Sequence, residues 1–146
     1  MKRISSFSFL ALILFLLSSS VTLAQVQARI RIIEASNEGT SVDPILRDVY
    51  GQLGSLFSFT SYRLLKDITL GLVGNRPVEV VIHPGKSVEV TLIGEYKNLI
   101  ELRIRVKREG AWVLNTHVRL FSGRTILIGG PRHARGTIIF ALSARF

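Results

Sequence analysis

The segment Ile100-Glu101-Leu102-Arg103-Ile104-Arg105-Val106-Lys107 decides the fold class of this 146-residue chain. Its apolar residues occupy every second position, and charged residues fill the positions between them. Successive side chains of a strand point to opposite faces of a sheet. The alternation therefore predicts a strand with one buried face and one wet, cationic face.

Similar strands are expected on both sides of this segment. The alternation recurs in seven further places, which are residues 26–33, 68–72, 78–82, 88–92, 112–120, 125–128 and 138–146. Short turns such as Glu109-Gly110 join neighbours that pair antiparallel, because parallel neighbours need a long crossover. We therefore predict an antiparallel sheet of about seven or eight strands, which is either sandwich-like or curled into an open barrel.

One helix is expected between the first and second strands. Asp43 is suited to cap the free amides, and Pro44 fits the first helical position. Four apolar residues follow at helical spacing, namely Leu46, Val49, Leu53 and Phe57. Gly51 and Gly54 are expected to let another backbone approach closely. We predict that this helix packs on the apolar face of the sheet, which makes the fold class α+β.

Residues 1–24 have the parts of a secretory signal peptide. Lys2 and Arg3 precede an apolar run over residues 7–17, and a small residue, Ala24, ends the segment. The run is shorter than the roughly 20 residues that cross a bilayer as a helix. We therefore expect cleavage near Ala24 and a protein of the periplasm or the secreted fraction.

The charge balance favours anionic partners. The chain carries 19 Lys and Arg against 10 Asp and Glu, with no cysteine. Cleavage would remove Lys2 and Arg3, so residues 25–146 would form one α+β domain with a net charge of +7, without a transmembrane helix. A basic exported protein attracts acidic polymers and acidic proteins. We expect its partner to be an envelope protein or an anionic envelope polymer.

The sequence contains no compact catalytic or metal-binding motif. The three histidines, His83, His117 and His133, lack the spacing of metal ligands, and no cysteine assists them. Gly85-Lys86-Ser87 resembles only the end of a phosphate-binding loop, because a strand pattern follows it where a helix should. We predict no cofactor, no metal and no enzymatic activity. A hydrolase with a scattered active site is kept as an alternative.

The first predicted binding group is the wet face of the segment quoted above. Arg103, Arg105 and Lys107 share this face, and the hairpin that follows brings His117 and Arg119 across from them. Trp112 falls in the apolar register, so aromatic rings do not alternate with the cations. Because single-stranded nucleic acid is usually held by such rings, we expect nucleic acid to be a less suitable partner.

The second predicted binding group lies in residues 129–136, which are expected to form a loop. Three glycines give this segment backbone freedom, and Arg132, His133 and Arg135 supply cationic donors. Such donors hold phosphates and carboxylates well. The two groups together lead us to predict a non-enzymatic accessory protein of the bacterial envelope that acts by binding, as in a secretion or surface-assembly system.

The last strand supports a different reading. An aromatic residue, Phe146, follows apolar residues at alternate positions, which are Ile138, Phe140, Leu142 and Ala144. This pattern is similar to the closing strand of bacterial outer-membrane β-barrels. The resemblance implies a small eight-stranded barrel in the outer membrane, which is the alternative to the exported binding protein.

Overall fold

The structure, a computed structural model, describes residues 25–146 and consists mainly of strands. The predicted signal peptide of residues 1–24 lies outside the described residues. The strands are β1 Val26–Ser36, β2 Ser61–Leu72, β3 Val78–His83, β4 Lys86–Glu95, β5 Leu99–Arg108, β6 Ala111–Phe121, β7 Thr125–His133 and β8 Gly136–Ala144. A helical segment between β1 and β2 contains a 3-10 helix, Pro44–Leu46, and an α-helix, α1, Tyr50–Leu56. None of the helices in residues 25–146 has the length and hydrophobicity of a transmembrane helix.

The strands form two four-stranded sheets, which we name sheet A and sheet B. Sheet A has the strand order β2-β1-β8-β7, and sheet B has the order β3-β4-β5-β6. All pairings between these strands are antiparallel. The predicted class, an antiparallel α+β fold with about eight strands and one α-helix, is confirmed. Of the two arrangements foreseen, the described strands adopt the sandwich.

The main core lies between the two sheets. Ile30 of β1, Phe140 of β8 and Ile104 of β5 are among its fully buried members. The alternation read from the sequence is confirmed in β5, whose apolar residues are buried while the charged residues between them are partly exposed. Each large apolar side chain buried here contributes about 1.5–3 kcal/mol to stability.

The helical segment covers part of the outer face of sheet A and builds a second, smaller core there. Leu46 and Leu53 pack against Ile33 and Ile139 of the sheet. The hydroxyl of Tyr62 donates to the carbonyl oxygen of Leu53 across 3.3 Å, which anchors α1 from below. The segment covers an outer face because the inner faces of the two sheets already cover each other.

The predicted helix start is confirmed, but the helix is not continuous. Asp43 Oδ1 accepts a hydrogen bond of 3.3 Å from the amide of Ile45, and Pro44 opens the 3-10 helix. The α-helical part begins only at Tyr50, after Val49 with φ −112° and ψ 0°. The chain therefore bends between the two pieces, which lets both pieces follow the twisted surface of sheet A.

Residues 129–136 are mostly strand, so the prediction of a loop there is wrong. β7 continues to His133 and β8 begins at Gly136, which leaves Ala134 and Arg135 as the turn. Ala134 has φ 51°, the left-handed conformation that a tight turn requires. The glycines of this segment serve close strand packing. A Cβ at Gly130 would lie 2.7 Å from the ring of Phe140.

Candidate functional site

The outer face of sheet B holds the first group of predicted binding residues. Arg103, Arg105 and Lys107 project to this face because the apolar residues between them point into the core. The strand register places His117 of β6 opposite Arg103, and Arg119 follows two residues later on the same face. The structure thus brings all five residues together. The helical segment covers sheet A, and within residues 25–146 sheet B has no such cover.

Trp112 also lies on this face, so the prediction that it points into the core is wrong. The register of β5 and β6 shifts just before Lys107, which pairs with Trp112 and leaves Val113 as the extra residue of a bulge. The centroid of the indole ring lies 4.1 Å from Cζ of Arg105 and 5.3 Å from Nζ of Lys107. Trp112 is 46% exposed, and it therefore adds an accessible aromatic surface to the cations.

Two carboxylates neutralise part of this cationic face. Nη2 of Arg105 lies 2.6 Å from Glu89 Oε1, and Nε of Arg119 lies 3.1 Å from Glu101 Oε1. Arg103 forms no ion pair within residues 25–146, and its Nε is buried without a hydrogen-bond partner there. Arg103 lies at the centre of the face, and no acidic side chain within residues 25–146 offsets its charge.

Thr91 of β4 lies opposite Arg103, and it too has a buried polar atom without a hydrogen-bond partner among the described residues. The residue is 3% exposed, and its Oγ1 has no hydrogen-bond partner within residues 25–146. Native proteins satisfy nearly all buried polar groups with protein, ordered water or ligand. The centre of the face thus combines unused hydrogen-bonding capacity with an uncompensated cation. We name the surface formed by Arg103, Arg105, Lys107, Trp112, His117 and Arg119, with Thr91 buried beneath it, the sheet B platform.

The second group of predicted residues lies at one end of the sandwich. There the turn between β7 and β8 meets the turn between β3 and β4. Nζ of Lys86 donates to the carbonyl oxygen of Arg132 across 3.0 Å and lies 3.2 Å from Nδ1 of His133. The ring of His83 stands edge-on to that of His133, with 5.5 Å between the centroids. Lys86 and His83 were not among the predicted binding residues.

Arg135 takes no part in the contact between Lys86 and His133, because it forms an ion pair elsewhere. Its Nη1 lies 2.7 Å from Oε1 of Glu38, and both side chains are exposed. Lys86 also pairs across the sheet with Arg108, the neighbour of Lys107. The two predicted groups therefore approach each other at Lys86, but Arg135 belongs to a different part of the surface from the sheet B platform.

The ring nitrogens of His133 face Lys86 and Glu34, and only the contact with Lys86 is within hydrogen-bond distance. An ammonium group only donates, so Nδ1 accepts from Lys86, and the proton of the neutral ring lies on Nε2, 3.6 Å from Glu34 Oε2. Burial, followed by the charge of Lys86, lowers the pKa of His133 below its ordinary value. A histidine that activates a nucleophile directs one nitrogen at that group. Neither nitrogen of His133 has this orientation.

Sequence reasoning missed Trp112, Thr91 and Lys86 for different reasons. A one-residue bulge reverses the face of Trp112, and no pattern of period two announces a bulge. Thr91 gains importance only through its strand partner Arg103. Lys86 belongs to the fragment Gly85-Lys86-Ser87, whose strand-like continuation argues against a nucleotide site. The structure shows it in a hairpin turn, where Gly85 has φ 83°.

Neither a metal site nor a similar protein identifies the ligand of these two surfaces. Within residues 25–146, no group of three or more His, Cys, Asp or Glu side chains is arranged to hold a metal ion. Comparisons of the chain with protein-family models, with curated proteins and with solved structures find no match. Function must therefore be argued from the chemistry of the surfaces themselves.

Proposed function

We propose that this protein is an exported binding protein of the bacterial envelope and that the sheet B platform holds an anionic envelope polymer. The observation that carries the proposal is the line of Arg103, Arg105 and Lys107 along one strand, with the exposed ring of Trp112 stacked beside it. The predicted signal peptide supports export, and the net charge supports an anionic ligand.

The spacing of the cations suits a chain-like ligand. Residues two apart on a strand stand about 7 Å apart, so β5 presents its three positive charges at a regular interval in a straight line. An extended polyanion aligned with the strand meets one charge after another. Trp112 at the end of this line gives the C–H face of a sugar ring an apolar surface to pack on. The polymer that fits best is therefore an acidic polysaccharide.

Arg103 is expected to provide the strongest single contact. Arg105 and Arg119 already bind carboxylates of the protein, which would have to be given up or shared. Arg103 has no such competitor within residues 25–146. A hydrogen bond to a charged group contributes about 1.5–3 kcal/mol, so loss of Arg103 should weaken binding by about tenfold or more.

Trp112 makes a direct binding assay available, because it is the only tryptophan of the chain. We would titrate the purified protein with alginate, an acidic polysaccharide, and with neutral dextran, and follow the fluorescence of Trp112. The test variant carries Arg103→Gln with Lys107→Gln. Its matched control carries Arg76→Gln with Arg124→Gln, which removes the same charge from exposed positions in turns.

The proposal predicts that alginate binds, that dextran does not, and that salt weakens binding through screening. The test variant should lose more than about tenfold in affinity, because it lacks both cations, while the control should keep the affinity of the parent. Equal loss in both variants would mean that only net charge matters, and the platform would be refuted. Tighter binding of single-stranded DNA than of alginate would refute the polysaccharide assignment in favour of nucleic acid.

Export is tested separately from binding. We expect the protein recovered from a fractionated double-membrane bacterium to be found in the periplasm and to begin at Gln25, as read by intact mass. Ala24→Asp should block processing, because the cleavage site requires a small residue. A full-length chain in the cytoplasm would remove the envelope from the proposal and leave the binding experiment unaffected.

A further inference from the structure

A second polar surface lies on the outer face of sheet A, beside the helical segment. One row across all four strands places three hydroxyls and a guanidinium side by side, in the order Thr69, Arg29, Ser143 and Thr125. Together with Gln27, Arg31, Asp48 and Arg145, this row lines a cleft of about 430 Å³. We name it the sheet A cleft. It is separate from the sheet B platform, so binding in the cleft is independent of the proposed function.

Arg31 is a buried charge in the wall of this cleft. Its side chain is only 2% exposed, and its Nη1 and Nη2 donate to the two carboxylate oxygens of Asp48 across 2.7 and 2.9 Å. Its Nε is buried and has no hydrogen-bond partner within residues 25–146. A buried guanidinium carries a desolvation penalty of several kcal/mol even when paired. The wall of the cleft thus contains a buried cation whose Nη atoms are paired with Asp48 while its Nε is not hydrogen-bonded within the described part of the chain.

The charges that face the sheet A cleft leave it positive. Arg29 pairs with Asp67 through bonds of 2.8 and 2.5 Å, and Arg31 pairs with Asp48. Hydrogen bonds from these arginines lower the pKa of both aspartates, so both remain ionised at neutral pH. Arg145 is exposed and forms no ion pair within residues 25–146. One positive charge is therefore in excess, and Arg145 carries it.

We propose that the sheet A cleft binds a small sugar that carries one oxyanion, either a phosphate or a carboxylate. The oxyanion pairs with Arg145, whose guanidinium matches both groups. The sugar hydroxyls exchange hydrogen bonds with Thr69, Ser143 and Thr125, which are all at least partly exposed. The volume of the cleft lies within the usual range for small-ligand sites, about 300–1,000 Å³.

The helical segment leaves the polar half of this face open. Farther along the same face, Ile33 of β1 and Ala141 and Ile139 of β8 are covered by the second core. The helical segment stops where the polar row begins, and Asp48 and Gln52 form its border. Gln52 Nε2 donates to the carbonyl oxygen of Thr125 across 3.3 Å, which fixes this border.

The test uses amide chemical shifts of the purified protein with four probes. Glucose 6-phosphate and glucuronate carry both required features, inorganic phosphate carries only the oxyanion, and glucose carries only the hydroxyls. We expect at least one of the anionic sugars to shift the amides of Arg29, Thr69, Ser143 and Arg145 together. Phosphate should bind more weakly than the anionic sugar, and glucose should produce no shift. The anionic sugar that binds with the higher affinity shows whether the cleft prefers a phosphate or a carboxylate.

Two variants decide whether the cleft is responsible. Arg145→Gln should weaken binding of the anionic sugar by about tenfold. Arg108→Gln removes the same charge at the opposite end of the sandwich and should leave binding unchanged. The proposal is overturned if neither anionic sugar binds, if inorganic phosphate binds as tightly as the sugar, or if the two variants lose affinity equally.

Discussion

Arg31 and Asp48 join sheet A to the helical segment through two parallel hydrogen bonds, and they do so with very unequal burial. The side chain of Arg31 is 2% exposed and that of Asp48 is 57% exposed. Arg29 and Asp67 form a second bidentate pair next to them, through Nε and Nη2 of the arginine instead of its two Nη atoms, with side chains 41% and 28% exposed. The two pairs share chemistry and differ in solvent access, which makes them a natural comparison.

Asp48→Ala should destabilise the protein much more than Asp67→Ala. Removing Asp48 leaves the buried guanidinium of Arg31 without its counter-charge, and breaking a buried pair in this way costs about 3–5 kcal/mol. Partial access to water should keep the loss near the lower end. Loss of an exposed pair costs about 1 kcal/mol or less. Urea denaturation measures both values, and equal losses would contradict the burial argument.

The stability of the protein should fall as the solution is acidified through the range of His133. The pKa of His133 is lowered by burial, then by the charge of Lys86, with smaller contributions from His83 and Arg63, while Glu34 acts in the opposite direction. The unfolded chain therefore takes up this proton at a higher pH than the folded chain. The contribution of neutral His133 to the free energy of unfolding is fully present above the ordinary pKa of 6.5. It is lost as the pH falls through the folded-state pKa.

Denaturation at about pH 7.5 and about pH 5.5 would measure this effect. His133→Gln should flatten the difference between the two conditions. His117→Gln serves as the control, because His117 is exposed on the sheet B platform, and it should retain the full difference. An unchanged pH dependence in His133→Gln would show that another group is responsible.

Gly54→Ala and Gly136→Ala should change stability in opposite directions. A Cβ at Gly54 or Gly51 would meet nothing within 4 Å, so the expectation that these two glycines admit another backbone is wrong. Alanine in α1 should therefore stabilise the protein by up to about 1 kcal/mol. A Cβ at Gly136 would lie 2.0 Å from the backbone oxygen of Ala35. Moving two paired strands apart should cost about 3 kcal/mol or more.

Thermal unfolding of the two alanine variants tests this pair of predictions. Gly51→Ala provides the matched control within the same helix, and it should behave like Gly54→Ala. A neutral Gly136→Ala variant would show that β1 and β8 separate more easily than their pairing indicates.

Arg103→Glu and Arg105→Glu should separate binding from stability on the sheet B platform. Arg103 has no ion pair within residues 25–146, so its reversal should leave the free energy of unfolding nearly unchanged while alginate binding falls. Arg105→Glu places a second carboxylate beside Glu89, which is largely buried, and removes the cation over Trp112. We expect a loss of about 1–2 kcal/mol in stability. A stable Arg105→Glu variant would contradict the role of its ion pair.

The strands and the helix start were predictable because they depend on local periodicity and on capping chemistry. Residues 100–107 alternate without interruption, and Asp43 precedes Pro44 at the expected position. Residues 129–136 were misread because Gly and Arg resemble a loop in composition, whereas the glycines in fact allow close strand packing.

The residues of the candidate sites were less predictable because they depend on distant parts of the chain. The alternation of residues 26–33 puts Arg31 on the polar face of β1, yet it is buried because a segment that follows β1 folds back over it. Trp112 changed face through a single extra residue. Neither the burial of Arg31 nor the bulge at Val113 changes the hydrophobic periodicity in a way that the sequence would reveal.

The pairing of β1 with β8 has a consequence for the order of folding. Ala28 lies opposite Ala144, so the central pair of sheet A joins the two ends of the described chain, whereas sheet B is a meander of consecutive hairpins. Contacts between distant segments form late because the loop that they close loses much entropy. We expect pulsed hydrogen exchange to find the amides of β4 and β5 protected before those of β1. Until β8 arrives, β1 keeps an unpaired edge that chaperones and proteases are able to reach.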